Sequence, residues 1–122
     1  MDEKVYDYRV VQCIRVVDGD TYDITLEKRI DFGFRLIETK QWSTRFRLLG
    51  ADTWETNEAG GAAATRAAEA WINMAIYADV LRGETFKTDN FGRWLIDLYR
   101  TDTKEHLSEF LIQGGHAVRY LK

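Results

Sequence analysis

A strand pattern that runs straight into acid is the feature that most limits how this chain folds. Phe46, Leu48 and Leu49 give residues 46–49 an apolar side, and the pattern breaks at Gly50. From Arg47 to Glu55, nine residues hold a guanidinium, the Thr53 hydroxyl and two carboxylates, Asp52 and Glu55. Carboxylates at the end of a buried strand lose hydration, so the fold must offer them a metal, an arginine or backbone N–H groups. Val17-Asp18-Gly19-Asp20-Thr21 lies upstream and Asp89-Asn90-Phe91-Gly92-Arg93 downstream. Together the three stretches hold carboxylates suited to a hard cation, a spare Glu and two separated arginines. Those are the ingredients of a metal-assisted phosphodiesterase.

The remaining pattern predicts a small barrel. Residues 5–17 alternate loosely and are rich in Val, Ile and Tyr, which reads as a strand. Asp18-Gly19-Asp20 then turns the chain into a second strand over 21–26. Residues 27–44 form a long, charged and aromatic section with Asp31-Phe32-Gly33-Phe34 near its middle, expected to be an extended hairpin projecting from the body. Trp42 and Phe34 there either cover the domain's own sheet, the better expectation, or present a partner surface.

After a loop over 57–61, residues 62–78 read as a helix whose core stripe is Ala63, Ala67, Ala70, Trp71, Met74 and Tyr77. A strand is expected to begin at Gly83 and run over 84–88, turning at 89–92 into another over 93–99. Thr103 is the expected N-cap of a short helix through Leu107, Phe110 and Leu111, ended by Gly114-Gly115. Residues 117–121 form a last extended piece. Three strands, a helix, two strands and a helix make one α+β domain over 1–122, compatible with an OB-type Greek-key barrel.

Charge separates a catalyst from a coating protein. The chain carries net charge −3, with 12 acids and 9 bases in residues 1–60 and 8 of each in 61–122. The acidic excess therefore lies in the half that holds Asp18, Asp20, Asp52 and Glu55, where a divalent ion would offset it. Counterion-release binding to nucleic acid is weak for such a chain, so it visits a polyanion instead of covering it. The lone Cys13 makes no internal disulfide. Residues 1–8 lack the apolar core of a signal peptide, and no run approaches membrane-spanning length. A cytoplasmic, phage or virion setting is the expectation, with no membrane partner.

Each candidate has an ordinary alternative. Asp18 or Asp20 alone is best read as an Asp capping its own turn. Arg47 and Arg93 suit bidentate contact with phosphate, but a single Arg on a strand is usually an ion-pair partner. Glu55 stands near enough to Asp52 to act on a water, or is a loop carboxylate without a task. Phe91 and Tyr120 have faces on which a base can stack, packing being the better role for Phe91. His106 and His116 read as surface residues, and with Cys13 isolated no zinc pattern exists.

In this order and combination the motifs resemble the staphylococcal nuclease family, from about Val11 to Tyr120. The match rests on Asp18-Gly19-Asp20-Thr21, on Phe46-Arg47-Leu48-Leu49 followed by Asp52-Thr53-Trp54-Glu55-Thr56, and on Asp89-Asn90-Phe91-Gly92-Arg93. The resemblance implies an OB-fold five-stranded barrel with two to three helices. It also implies a calcium-dependent endonuclease that cuts DNA and/or RNA with little sequence specificity, leaving 3′-phosphate and 5′-hydroxyl ends. Carried over, Asp20, Asp52 and the Thr53 carbonyl would ligate Ca2+, and Glu55 would act on the water. Arg47 and Arg93 would grip the phosphate, Tyr120 would line the nucleotide pocket, and Asp18 and Asp89 would support the site.

The chain departs from the family in four ways. Trp54 stands where the family has Pro, and the 27–44 hairpin is longer, as in phage-type relatives. The chain stops at Lys122 without the family's last helix and lysine-rich tail, and its pI is about 5.4. The alternative expectation is a non-catalytic nucleic-acid- or protein-binding module on the same barrel. A third is a structural phage or interaction protein that works through the hairpin.

Overall fold

Among the described residues, seven strands and two helices follow one another as β1 (Asp7–Asp18), β2 (Thr21–Asp31), β3 (Ile37–Leu48), β4 (Ala51–Thr53), α1 (Gly61–Tyr77), β5 (Leu81–Phe86), β6 (Trp94–Arg100), α2 (Leu107–Gln113) and β7 (Ala117–Arg119). The computed structural model describes residues 6–54, 59–86, 88 and 92–119. Five strands close into a barrel in the order β1-β2-β3-β6-β5, and β4 pairs with β7 in a separate two-stranded sheet. All barrel pairings are antiparallel except β3 with β6, which is parallel. The chain is thus an α+β barrel with two helices among the described residues.

The strands bury the residues their alternation selects. Tyr22, Ile24 and Leu26 of β2 and Phe46 and Leu48 of β3 fill the interior with Ile96 and Leu98 of β6. β1 is looser in sequence because its register against β2 shifts three times, between Val10 and Gln12, Cys13 and Arg15, and Val16 and Asp18. Such bulges bend and coil a strand, which a small closed barrel needs. Gly83 lies inside β5 and does not start it. A Cβ there would come within 2.7 Å of Ile96 Cδ1, so the missing side chain is the space into which Ile96 packs.

α1 packs on β1 with a face that differs from the expected stripe. Gly61, Ala64, Ala68, Trp71, Ile72 and Ala75 are buried, whereas Ala70 is exposed, Met74 is 67% exposed and Tyr77 94%. Of the expected stripe only Trp71 is fully in the core, and Ala63 and Ala67 are half-buried. Alanines stand on several sides of this helix, so periodicity alone does not select a face. The bulky neighbours Trp71 and Ile72 select it. The helix ends in a Schellman turn, with Val80 N–H on Ala75 O, Asp79 N–H on Ile76 O, and Asp79 itself left-handed at φ 60°. The Asp79 carboxylate then accepts from Arg9.

α2 also begins later than expected. Thr103 lies in a turn, where its hydroxyl accepts the Glu105 N–H at 3.3 Å, and Lys104 takes φ 64°. A left-handed residue cannot continue a helix from Thr103, so α2 starts at Leu107 behind His106. It ends at Gly114-Gly115 as expected.

The hairpin is as long as the pattern suggested. β2 and β3 pair without interruption from Thr21↔Arg47 to Asp31↔Ile37. Its aromatics part company, however. Trp42 packs edge-on against Tyr8, with ring centroids 5.0 Å apart, but Phe34 at the tip is 98% exposed and covers nothing on its own sheet. Among the described residues no helix is long and apolar enough to cross a membrane.

Candidate functional site

The β1–β2 turn lies directly on β4, and that contact builds the site. Gly19 at the turn has no room for a side chain, since a Cβ would sit 2.6 Å from Thr53 Oγ1. The fully buried Tyr22 donates its hydroxyl to Gly19 O and pins the turn from below. β4 is held in turn by β7, in the register Ala51↔Arg119, Asp52↔Val118 and Thr53↔Ala117.

Asp20, 8% exposed, receives three kinds of donor. Its Oδ2 accepts the Thr53 N–H at 3.2 Å, its Oδ1 accepts the Thr21 hydroxyl at 3.2 Å, and Arg47 Nη2 lies 3.6 Å from Oδ2. Arg47 is equally buried at 8%. Its Nη1 donates to Leu48 O at 2.8 Å and Ala51 O at 2.9 Å, and its Nη2 donates to Asp52 Oδ1 at 3.1 Å. One guanidinium therefore ties the end of β3 to the start of β4 and faces two acids. An arginine and a backbone N–H both answer the acids at this strand end.

Asp18 completes the cluster. Its Oδ1 accepts the Asp20 N–H at 3.3 Å. Burial raises the Asp18 carboxyl to about 6, and the neighbouring Asp20 carboxylate adds to the shift. Burial works against ionised Asp20 too, but the Asp18 carboxyl, the Arg47 charge and the Thr53 N–H outweigh it, so Asp20 ends below its ordinary value. The pair divides its protonation, Asp20 staying charged where Asp18 readily holds a proton.

The sequence candidates are thus partly assembled. Asp18, Asp20, Arg47, Asp52 and Thr53 meet at one place. Arg93 is exposed and precedes β6, two residues before Leu95, the partner of Arg47 across the β3–β6 ladder. That spacing corresponds to about 7 Å along a strand. Glu55, Asp89, Phe91 and Tyr120 lie outside the described residues, as does most of the expected 89–92 turn. Among the described residues no group of three or more His, Cys, Asp or Glu side chains is arranged to hold a metal ion.

Three contributors were not singled out as site residues from the sequence. Thr21 stood within the Asp-Gly-Asp-Thr motif, so its hydroxyl was within reach of sequence reasoning. Tyr22 looked like any strand aromatic. Trp54, 39% exposed, donates its indole N–H to Gly115 O at 3.3 Å and lies beside Gly60. A neighbouring cavity of about 280 Å³ is lined by Leu49, Gly50, Asp97, His106, Ser108 and Arg119, among others. In it His106 Nδ1 lies 2.9 Å from Asp97 Oδ1, so this histidine is half-buried and paired, with no sequence signal for its partner.

No protein-family model matches the chain, and no curated protein matches it.

Proposed function

We propose that the protein is a calcium-dependent phosphodiesterase that hydrolyses DNA and/or RNA with little sequence specificity, on an OB-type barrel of the staphylococcal nuclease kind. One observation carries the reading. Residues from two separated motifs, Asp18 and Asp20 with Arg47, Asp52 and Thr53, converge at one end of the β3–β6 ladder. The barrel order β1-β2-β3-β6-β5, with α1 between β4 and β5, supports the OB-type assignment.

The donors present are carboxylate and carbonyl oxygens, the set a hard divalent cation takes, and half-buried Asp18 beside buried Asp20 gathers acid that a cation would offset. Asp20, Asp52 and the Thr53 carbonyl would hold calcium, which when bound polarises a phosphate oxygen. Arg47, already fixed by two backbone carbonyls, presents a guanidinium of set orientation to a phosphate. Glu55 takes the proton of the attacking water. The water oxygen forms the new bond to phosphorus as the bond to the 5′ oxygen breaks and that oxygen takes up a proton from solvent, leaving 3′-phosphate and 5′-hydroxyl ends. Arg93 adds a second cation to the phosphate, Tyr120 and Phe91 contact the nucleotide, and Asp18 and Asp89 support the loops.

A specific observation favours a second reading, a non-catalytic nucleic-acid- or protein-binding module. Arg47 already holds Asp52 and two carbonyls, which is also what a purely structural clamp would do. Cleavage of labelled single-stranded DNA and RNA in calcium, magnesium and chelator, with Glu55→Gln alongside, separates the two. Calcium-dependent cutting lost in Glu55→Gln supports the enzyme; a folded protein that cuts under none of these conditions overturns it.

A further inference from the structure

Beyond the barrel, β3 has an open edge. From Ile37 to Arg45 no described strand pairs with its outer side, because β6 meets β3 only at Phe46, Arg47 and Leu48. Hydrogen-bonded pairs alternate along an antiparallel ladder. Across β2 and β3 the even-numbered residues form them, as Leu48 N–H to Asp20 O and Phe32 N–H to Leu36 O mark at the two ends. Odd-numbered Ile37, Thr39, Gln41, Ser43 and Arg45 therefore turn their N–H and C=O groups to the open edge. Leu49, two steps further along that series, bonds outward to Ile96 O. An exposed edge of this length is a template for another strand.

The tip beside that edge is apolar and held open. Phe32, Phe34 and Leu36 are 61%, 98% and 62% exposed. Gly33, Phe34 and Arg35 are consecutively left-handed, with φ of 84°, 51° and 66°. Gly33 N–H donates to Asp31 Oδ1, and Leu36 N–H donates to Gly33 O. The exposed side chains therefore stand on a hydrogen-bonded turn.

We propose that the outer edge of β3 is a self-association surface, on which a second copy of this chain pairs antiparallel across a twofold axis through Thr39. Charge selects the occupant and the register. With Thr39 opposite itself, Ile37 and Gln41 form the adjacent hydrogen-bonded pairs, matching outward-facing backbone groups. Glu38 then lies opposite Lys40 of the second copy, twice, in non-hydrogen-bonded pairs where side chains approach most closely. Glu38 and Lys40 are already 3.4 Å apart on one face, so the four side chains would form an alternating cluster. Moving the axis one position either way sets Glu38 against Glu38 or Lys40 against Lys40. The chosen register also brings Leu36 against Trp42 of the second copy, covering part of the tip.

Mass measurement by light scattering across a concentration series, in the intact chain, tests the proposal. The parent should approach twice 14.2 kDa as concentration rises. Glu38→Lys and Lys40→Glu should each weaken association about tenfold, because two attractive cross-strand pairs become repulsive. Mixing these two variants should restore it as a heterodimer. Thr39→Pro should abolish it while leaving the hairpin intact, since the Thr39 N–H faces outward and is not used by β2. Far-ultraviolet circular dichroism checks that each variant is folded. A parent that remains monomeric throughout overturns the proposal, and binding of that monomer to anionic vesicles would give the tip to a lipid surface instead. A dimer that folded Thr39→Pro leaves unchanged also overturns it.

Discussion

Replacing Arg47 by Lys keeps a positive charge and removes the fork, which makes it the sharpest probe of how this strand end is held. The guanidinium reaches Leu48 O and Ala51 O with one nitrogen and Asp52 with the other, and its side chain is only 9% exposed. A lysine ammonium cannot span all three acceptors, so one or two charge-assisted bonds are lost. At about 1.5–3 kcal/mol for each bond to a charged donor, the expected destabilisation is about 2–4 kcal/mol. For a domain of this size that corresponds to a fall in Tm of about 8–15 °C. Arg47→Met should cost about 3–5 kcal/mol, because Asp20 is then buried beside no cation. Asp52→Asn should cost under about 1 kcal/mol, its carboxylate being 54% exposed. Urea unfolding followed by tryptophan fluorescence, in chelator so that no cation contributes, measures all three. If Arg47→Lys lies within about 0.5 kcal/mol of the parent, the guanidinium is not the clamp described.

Three other perturbations address separate parts of the fold. Gly19→Ala drives a methyl into Thr53 and should cost about 1–3 kcal/mol by urea unfolding, less when combined with Thr53→Ala. Ile72→Ala should cost about 2–5 kcal/mol, whereas Tyr77→Ala on the same helix should change stability by under about 0.5 kcal/mol, a contrast that thermal melts resolve. Burial and the bond to Asp7 raise the Tyr99 hydroxyl to about 12. A raised folded-state value means its stabilisation is complete below about pH 10, the ordinary tyrosine value, and is lost as pH rises through about 12. Tyr99→Phe should therefore cost about 1 kcal/mol at pH 8, and its deficit against the parent should narrow in unfolding series above about pH 11.

The parts of this molecule that were legible from sequence are those encoded by local chemistry. β2 shows its alternation because Tyr22, Ile24 and Leu26 all face one core, and the Asp18-Gly19-Asp20 turn announces itself by composition. The long β2–β3 hairpin followed from the charged and aromatic stretch over 27–44 with Asp31-Phe32-Gly33-Phe34 near its middle. Arg47, Asp52 and Thr53 were singled out beside Asp18 and Asp20, and the fold brings them together. What sequence did not reveal depends on partners distant in the chain. β4, three residues long, becomes a strand only by pairing with β7, whose extended run was expected over 117–121 but whose partner was not. The start of α2 depends on Lys104 being left-handed. Arg47 is almost wholly buried because its fork has carbonyls to hold, and nothing in a string of letters separates that from an exposed strand arginine.

The most direct test of the site as a unit is single-turnover cleavage of an end-labelled oligonucleotide, with mapping of the product ends, for the parent, Asp20→Ala and Arg47→Lys. The expected result is calcium-dependent cutting by the parent that leaves 3′-phosphate ends. Asp20→Ala should need more calcium, and Arg47→Lys should cut slowly even at saturating calcium. Cutting by Asp20→Ala and Arg47→Lys at the parent's rate and calcium requirement would contradict a shared catalytic site. So would a folded parent that leaves the oligonucleotide intact.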